Sequence, residues 1–176
     1  MNRPAIFIIT GERGEGKTTF AAKLALILQE NNFAVKGIIA ERFTDGPATG
    51  FMLTDPAGGI SIPLAGKTGT GSENRTGSFI FSREAIKKGN SIISDAIQAC
   101  SEVIFIDEVG AGELDGKIWA KPLEMLLKTY PGILVLTVRK KFLKRVTCHW
   151  QIDPVAVFDV KTVNPSEASQ LIISSK

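Results

Sequence analysis

The chain has 176 residues, 44% of them hydrophobic, and a formal net charge of +3. That length predicts one domain spanning residues 1–176 with a core of its own, and the small charge does not by itself call for a polyanionic partner. One histidine and two cysteines, Cys100 and Cys148, with no CxxC pair, exclude a structural zinc site and predict two reduced, partly buried thiols.

The first apolar run, Ala5–Thr10, is too short for a signal-peptide core and leads into a glycine-rich turn, so it reads as a buried strand. No stretch approaches the roughly 20 apolar residues of a membrane span, and a soluble cytoplasmic protein is expected. Thr18–Glu30 follows as a helix with Phe20, Leu24, Ile27 and Leu28 at helical spacing. Val35–Ala40 is a second strand. Phe51–Leu53 and Ile60–Pro63 read as a β-hairpin insertion, bounded by the turn residues Asp45-Gly46-Pro47 and Asp55-Pro56-Ala57-Gly58-Gly59. Gly66–Ser78, rich in Gly, Ser and Thr without apolar periodicity, is expected to be a mobile lid.

Two helical pieces are predicted next, Ser82–Lys88 and Ser91–Cys100, broken at Gly89-Asn90. Val103–Ile106 is a wholly apolar strand ending in Asp107-Glu108. Pro122–Tyr130 is a helix, with its proline tolerable only near the first turn. Ile133–Val138 is another buried strand, followed by a basic amphipathic helix around Phe142, Leu143 and Val146. A last strand, Val155–Val160, and a last helix, Pro165–Ile173, complete the chain. Strands that are apolar throughout are buried on both faces. The predicted class is therefore α/β, a mostly parallel P-loop sheet with helices on both faces and the hairpin insertion.

Gly11-Glu12-Arg13-Gly14-Glu15-Gly16-Lys17-Thr18 matches G-x-x-x-x-G-K-[ST] without a gap, between a buried strand and an amphipathic helix. A loop that wraps a phosphate must turn successive backbone N–H groups inward, and the helix behind it adds its own free N–H groups and positive dipole end. Gly11 to Thr19 are the expected nucleotide-binding residues. Lys17, its stem expected at the loop surface, reaches the β- and γ-phosphates, and the Thr18 hydroxyl coordinates Mg²⁺. A second G-K-T, Gly66-Lys67-Thr68, lacks the upstream glycine, since Ser61 stands there, and is set aside.

Asp107 and Glu108 at the end of an apolar strand complete the pattern. A carboxylate there needs a partner, and Mg²⁺ held from the Thr18 side provides one, so Asp107 is assigned to the metal shell. Glu108 is left to orient and polarise the attacking water. Strand ends are where ligands sit in open parallel sheets, which makes Thr137 or Arg139 a γ-phosphate sensor, Arg139 being the one assigned to catalysis. Lys140, Lys141, Lys144 and Arg145 read as a solvated helix face, with nucleic-acid contact the lesser reading. Asn164-Pro165-Ser166-Glu167 is a helix-start signature, and Asn164 is a candidate neighbour of the nucleobase.

At these residues the sequence resembles the THEP-type nucleoside-triphosphatases, small P-loop proteins. The resemblance spans essentially the whole chain. It rests on the P-loop, Gly37-Ile38-Ile39-Ala40-Glu41-Arg42, the pair Gly50-Phe51, Ile106-Asp107-Glu108-Val109-Gly110 with Glu113-Leu114, and Val163-Asn164. It implies slow hydrolysis of several NTPs, ATP and GTP among them, to NDP and phosphate. It also implies a sheet in which one strand separates the P-loop strand from the Asp107-Glu108 strand. Two departures stand out: Thr49 where a basic residue is expected, with Arg42 or Arg75 as stand-ins, and a more glycine-rich Gly66–Ser78. The working expectation is a monomeric, Mg²⁺-dependent NTP phosphohydrolase of broad base range. A kinase and a nucleic-acid-linked switch are its alternatives.

Overall fold

Alternation of apolar strands and amphipathic helices builds a three-layer α/β structure. The computed structural model describes residues 3–45, 48–58, 61–66, 75–76 and 79–175. Its strands are β1 (Ala5–Gly11), β2 (Val35–Asp45), β3 (Ala48–Thr54), β4 (Ser61–Gly66), β5 (Arg75–Thr76), β6 (Phe79–Phe81), β7 (Val103–Val109), β8 (Ile133–Arg139) and β9 (Ala156–Asp159). The helices are α1 (Lys17–Glu30), α2 (Arg83–Gln98), α3 (Ala111–Leu114), α4 (Ala120–Thr129), α5 (Lys140–His149) and α6 (Pro165–Ser174). The described strands form one sheet in the order β5-β6-β4-β3-β2-β7-β8-β1-β9. From β2 to β9 every pairing is parallel, and from β2 to β5 every pairing is antiparallel.

Strand β1 shows why the apolar runs do not alternate. Ile6 and Ile8 face a core shared with α2, α4 and α5, while Phe7 and Ile9 face a core shared with α1 and α6. Both faces are dry, so both parities are apolar. The mostly parallel sheet with helices on both faces is as expected, and β8 does separate β1 from β7.

The expected hairpin is present as the antiparallel pair β3–β4, closed by Gly58 N–H donating to the Asp55 carbonyl at 2.9 Å. It is part of something larger. Strand β2 runs five residues past the predicted end at Ala40 and pairs with β3 through Asp45 opposite Ala48, so a four-stranded antiparallel extension grows from the parallel sheet. Helix α2 is continuous, correcting the predicted break at Gly89-Asn90. Gly89 is needed for packing: a Cβ there would lie 2.4 Å from Cη2 of Trp119, so the indole seats directly on the helix backbone. Helix α3 has no periodicity to announce it, being one turn long. Cys100 and Cys148 are exposed rather than partly buried. Of the expected lid, residues 67–74 and 77–78 lie outside the described residues, and so do Lys67 and Thr68 of the second G-K-T. No described helix is long and apolar enough to cross a membrane.

Candidate active site

The carboxyl ends of β1, β7 and β8 converge, and each delivers part of the site. After β1 the chain turns through residues 12–16 with Gly14 at φ 82° and Gly16 at φ 89°, conformations that cost a side-chain-bearing residue about 1 kcal/mol or more. Gly16 stands at the start of α1 with no side-chain cap, and no acidic residue follows in the first turn. Helices α2 and α6, by contrast, are capped by Ser82 and Asn164. The free N–H groups at the start of α1 are therefore available to an anion.

Lys17 is buried, which corrects the expected surface position of its stem. Its Nζ donates to the Glu12 carbonyl at 2.8 Å, and burial pushes its ammonium below the usual lysine range, opposed by the charge of Glu108. Glu15 braces the loop from outside. Its Oε2 accepts from Glu12 N–H at 2.7 Å and its Oε1 pairs with Lys161, which holds its carboxyl below the ordinary range.

Asp107 is 2% exposed and every oxygen is held. Ala40 N–H donates to Oδ2 at 3.0 Å, while Glu108 N–H at 3.0 Å and the Thr137 hydroxyl donate to Oδ1. The Thr18 hydroxyl reaches the same carboxylate from α1. Burial nonetheless pushes the Asp107 carboxyl up to about 6, and the neighbouring Glu108 charge adds to the effect. These hydrogen bonds do not replace a positive charge beside the carboxylate. A divalent cation between Thr18 and Asp107 would supply it, and the hard oxygen donors suit Mg²⁺. Among the described residues no group of three or more His, Cys, Asp or Glu could hold an ion. An ion here takes most of its ligands from substrate phosphates and water, as Mg²⁺ does in phosphate sites.

Thr137 is buried with its hydroxyl committed. It donates to Asp107 and accepts from Glu108 N–H at 2.8 Å, so it orients the Asp107 carboxylate and the Glu108 backbone, and it is not on the wall of the cavity described below. Glu108 itself sits at φ 64°, where β7 slips register against β8 between Ile106 and Val109. That kink turns its side chain out of the sheet toward Arg139, whose Nη2 donates to Oε2 at 3.1 Å. Strain of this kind persists where the surroundings over-determine it, commonly at functional sites.

A third carboxylate, the next candidate after Glu108 for holding the catalytic water, lies on the same side of the sheet edge. Glu113, on α3, is 2% exposed. Gly110 N–H donates to its Oε2 at 2.8 Å, but Oε1 has no hydrogen-bond partner. Burial pushes its carboxyl up to about 7, countered in part by nearby backbone groups, those of Gly110 and Trp119 among them. The signal in the sequence is Glu-Leu after Asp-Glu-Val-Gly, which carries the resemblance and places a glutamate three residues after Gly110, where it caps α3.

A cavity of about 740 Å³ opens in front of these groups. Gly14, Gly16, Lys17 and Thr18 form one end of its wall, with Glu108 and Arg139 beside them. Arg13 and Thr19 border it as well, while Gly11, Glu12 and Glu15 are not on its wall. Arg42 lies on the wall and Thr49 does not. Asn164 is not on the wall. Its Oδ1 accepts from Ser166 and Glu167 N–H at 3.0 Å, the capping role its sequence context predicted.

Comparison with known proteins shows what the whole chain is similar to. A family model described as NTPase matches residues 6–173. The chain is 30% identical over 77% of its length to the nucleoside-triphosphatase THEP1 of Pyrobaculum aerophilum, covering 74% of that protein. It is 27% identical over 97% of its length to the protein of the same name from Methanopyrus kandleri, covering 94% of it. In structure it resembles THEP1 from the hyperthermophile Aquifex aeolicus, with a TM-score of 0.71 at 21% identity, covering 95% of this chain and 98% of that one. A human cancer-related nucleoside triphosphatase gives 0.69 at 20% identity, covering 99% and 97%.

Proposed function

The chain belongs to the nucleoside-triphosphatase family, and from that membership we propose that it is a Mg²⁺-dependent phosphohydrolase, slow and of broad base range, that converts NTP and water to NDP and phosphate. The observation that carries the reading is the pair Glu108–Arg139, held at 3.1 Å on the cavity wall beside Lys17 and Thr18. A carboxylate and a guanidinium at that point face the end of the phosphate chain that the loop does not wrap.

Each side chain then has one task. The loop N–H groups and the start of α1 hold the β-phosphate, and Lys17 leaves the Glu12 carbonyl to neutralise β- and γ-oxygens. Thr18 and Asp107 would hold the ion, which would supply charge neutralisation on the phosphate oxygens. Glu108 accepts a hydrogen bond from the attacking water and takes its proton as the oxygen bonds to phosphorus. Arg139, released from Glu108 by the arriving phosphate, balances charge on the equatorial oxygens. The products leave as NDP and inorganic phosphate. A monomer in the cytoplasm fits this chemistry, and no nucleic acid is required for it.

Two variants test the assignment. Glu108→Gln keeps size but loses the base, so single-turnover hydrolysis should fall by at least about a hundredfold with NTP affinity within a few-fold. Asp107→Asn should raise the Mg²⁺ concentration needed for half-maximal rate. If Glu108→Gln hydrolyses at the wild-type rate, the proton goes elsewhere and the proposal for Glu108 fails.

A further inference from the structure

The cavity extends well beyond what the phosphate-binding loop needs, and its far wall is of a different kind. Phe51 on β3, Leu64 on β4, Phe81 on β6, Ile118 and Trp119 before α4, and Phe142 on α5 line it. All six belong to or pack against the core on the α2–α4–α5 face of the sheet, opposite the face that α1 covers. The volume of about 740 Å³ is that of the whole cavity, phosphate-loop end included, and lies within the range of roughly 300–1,000 Å³ typical of small-molecule sites.

The direction of the bound phosphate chain follows from strand order. The loop after β1 lies between β9 on one side and β8 then β7 on the other. Asp107, Glu108 and Arg139 are on the β7–β8 side, so under the roles proposed above the γ-phosphate points that way and the nucleoside toward β9. No residue of β9 or α6 is on the cavity wall, whereas β2, β3, β4 and β6 all contribute to it. The aromatic chamber therefore lies ahead of the γ-phosphate, on the line by which a nucleophile enters. Water needs no such chamber. Two further features mark it as built for an occupant. Glu113 lines the same cavity with an unpartnered Oε1, a buried polar atom of the kind that proteins seldom leave unsatisfied. Ile118, a β-branched residue, is held at φ 51° on the wall.

We propose that this chamber binds a second small molecule, flat and aromatic or heteroaromatic and carrying a hydroxyl, whose hydroxyl stands in for water in front of the γ-phosphate. The partly buried rings of Phe51, Phe81 and Phe142 supply faces and edges for a planar ligand, and the buried Trp119 indole closes the wall beside them. Glu113 Oε1 supplies a hydrogen-bonding group for a ring substituent. In the reaction, the hydroxyl oxygen bonds to the γ-phosphorus while the bond from that phosphorus to the β–γ bridging oxygen breaks. The hydroxyl proton passes to Glu108, and NDP leaves with the bridging oxygen. The products are NDP and a phosphate monoester. This inference rests on the placement of Glu108 and the P-loop proposed above. It extends that reading from water to an organic acceptor.

The test uses the full chain with Trp150→Phe, which leaves Trp119 as the single indole reporter. Benzyl alcohol, 4-hydroxymethylpyridine, adenosine and cytidine are titrated in the presence of Mg²⁺ and a non-hydrolysable ATP analogue. At least one should change Trp119 fluorescence saturably, and Phe51→Ala and Phe142→Ala should each weaken that binding about tenfold or more, while probe-free ATP hydrolysis stays within about twofold of wild type. With Mg-ATP, ³¹P NMR should show a phosphate ester of the bound probe accumulating at the expense of inorganic phosphate. No saturable response from any probe, or one unchanged in both variants, overturns the chamber as a binding site. Exclusion of the probe by the ATP analogue overturns it too, because the chamber then houses the nucleobase. Binding without ester formation overturns the acceptor role. In each of these cases intact ATP hydrolysis leaves the phosphohydrolase reading standing, and only its absence in the unmodified chain removes that reading.

Discussion

Replacing Glu113 by Gln should change the pH dependence of stability in a way that can be calculated from its burial. The side chain is 2% exposed, receives one hydrogen bond on Oε2 and none on Oε1, and holds its proton up to about pH 7 instead of the ordinary 4.5. Its folded-state affinity for the proton is raised, so between those two values the folded chain keeps a proton that the unfolded chain has released. Stability contributed by the neutral acid is complete below about pH 4.5 and is lost as pH rises through about 7. At about 1.36 kcal/mol per pH unit, the interval from 4.5 to about 7 comes to about 3 kcal/mol. Glutamine has the shape of the neutral acid and never ionises. Wild type and Glu113→Gln should therefore match near pH 4.5, and the variant should be more stable by up to about 3 kcal/mol above pH 7, with the difference levelling off there. Urea unfolding of both nucleotide-free proteins across that pH range measures it, and groups common to the two chains, Asp107 among them, largely cancel in the difference. A difference that does not change with pH, or one that favours wild type at alkaline pH, would refute the reasoning.

Lys17→Ala should abolish NTP turnover, yet the melting temperature should move by less than about 4 °C, because the lost hydrogen bond to the Glu12 carbonyl is offset by no longer burying an ammonium. A larger fall would mean that the loop depends on the lysine for its fold. Gly89→Ala should destabilise by about 1–2 kcal/mol in urea unfolding, since a Cβ 2.4 Å from Trp119 overpacks the core by more than helix propensity gains. A stabilised variant would show that the indole yields freely. ATP and GTP should give kcat/KM values within about tenfold, because Asn164 spends its side-chain oxygen on capping α6 and strong discrimination requires polar groups aimed at the base. A ratio in the hundreds would overturn this.

The local signals were strong where one chemical demand governs a stretch of chain. Gly11–Thr18 was legible because wrapping a phosphate requires glycines at fixed spacing before a helix, and the structure gives Gly14 and Gly16 the positive φ angles that demand implies. The strands were legible because burial on both faces leaves no polar parity, as Ile6–Ile9 show. Asn164 could be recognised as a cap because capping is satisfied within three residues. What sequence alone could not decide was every feature settled by a partner far along the chain. Gly89 reads as a helix breaker until Trp119, 30 positions later, is seen lying against it. Thr137 reads as a phosphate sensor until its hydroxyl is found between Asp107 and Glu108 on the neighbouring strand. Arg139 and Glu108 are 31 residues apart and become a pair only because β7 and β8 run side by side. Glu113 reads locally only as the glutamate that accepts from Gly110 N–H at the start of α3, while its burial and the missing partner on Oε1 are properties of the cavity and of the strands and helices around it. The sequence specifies elements and the phosphate loop through short-range periodicity and backbone geometry. Tertiary packing decides which side chains meet, because that depends on strand order and on which face of the sheet each helix covers.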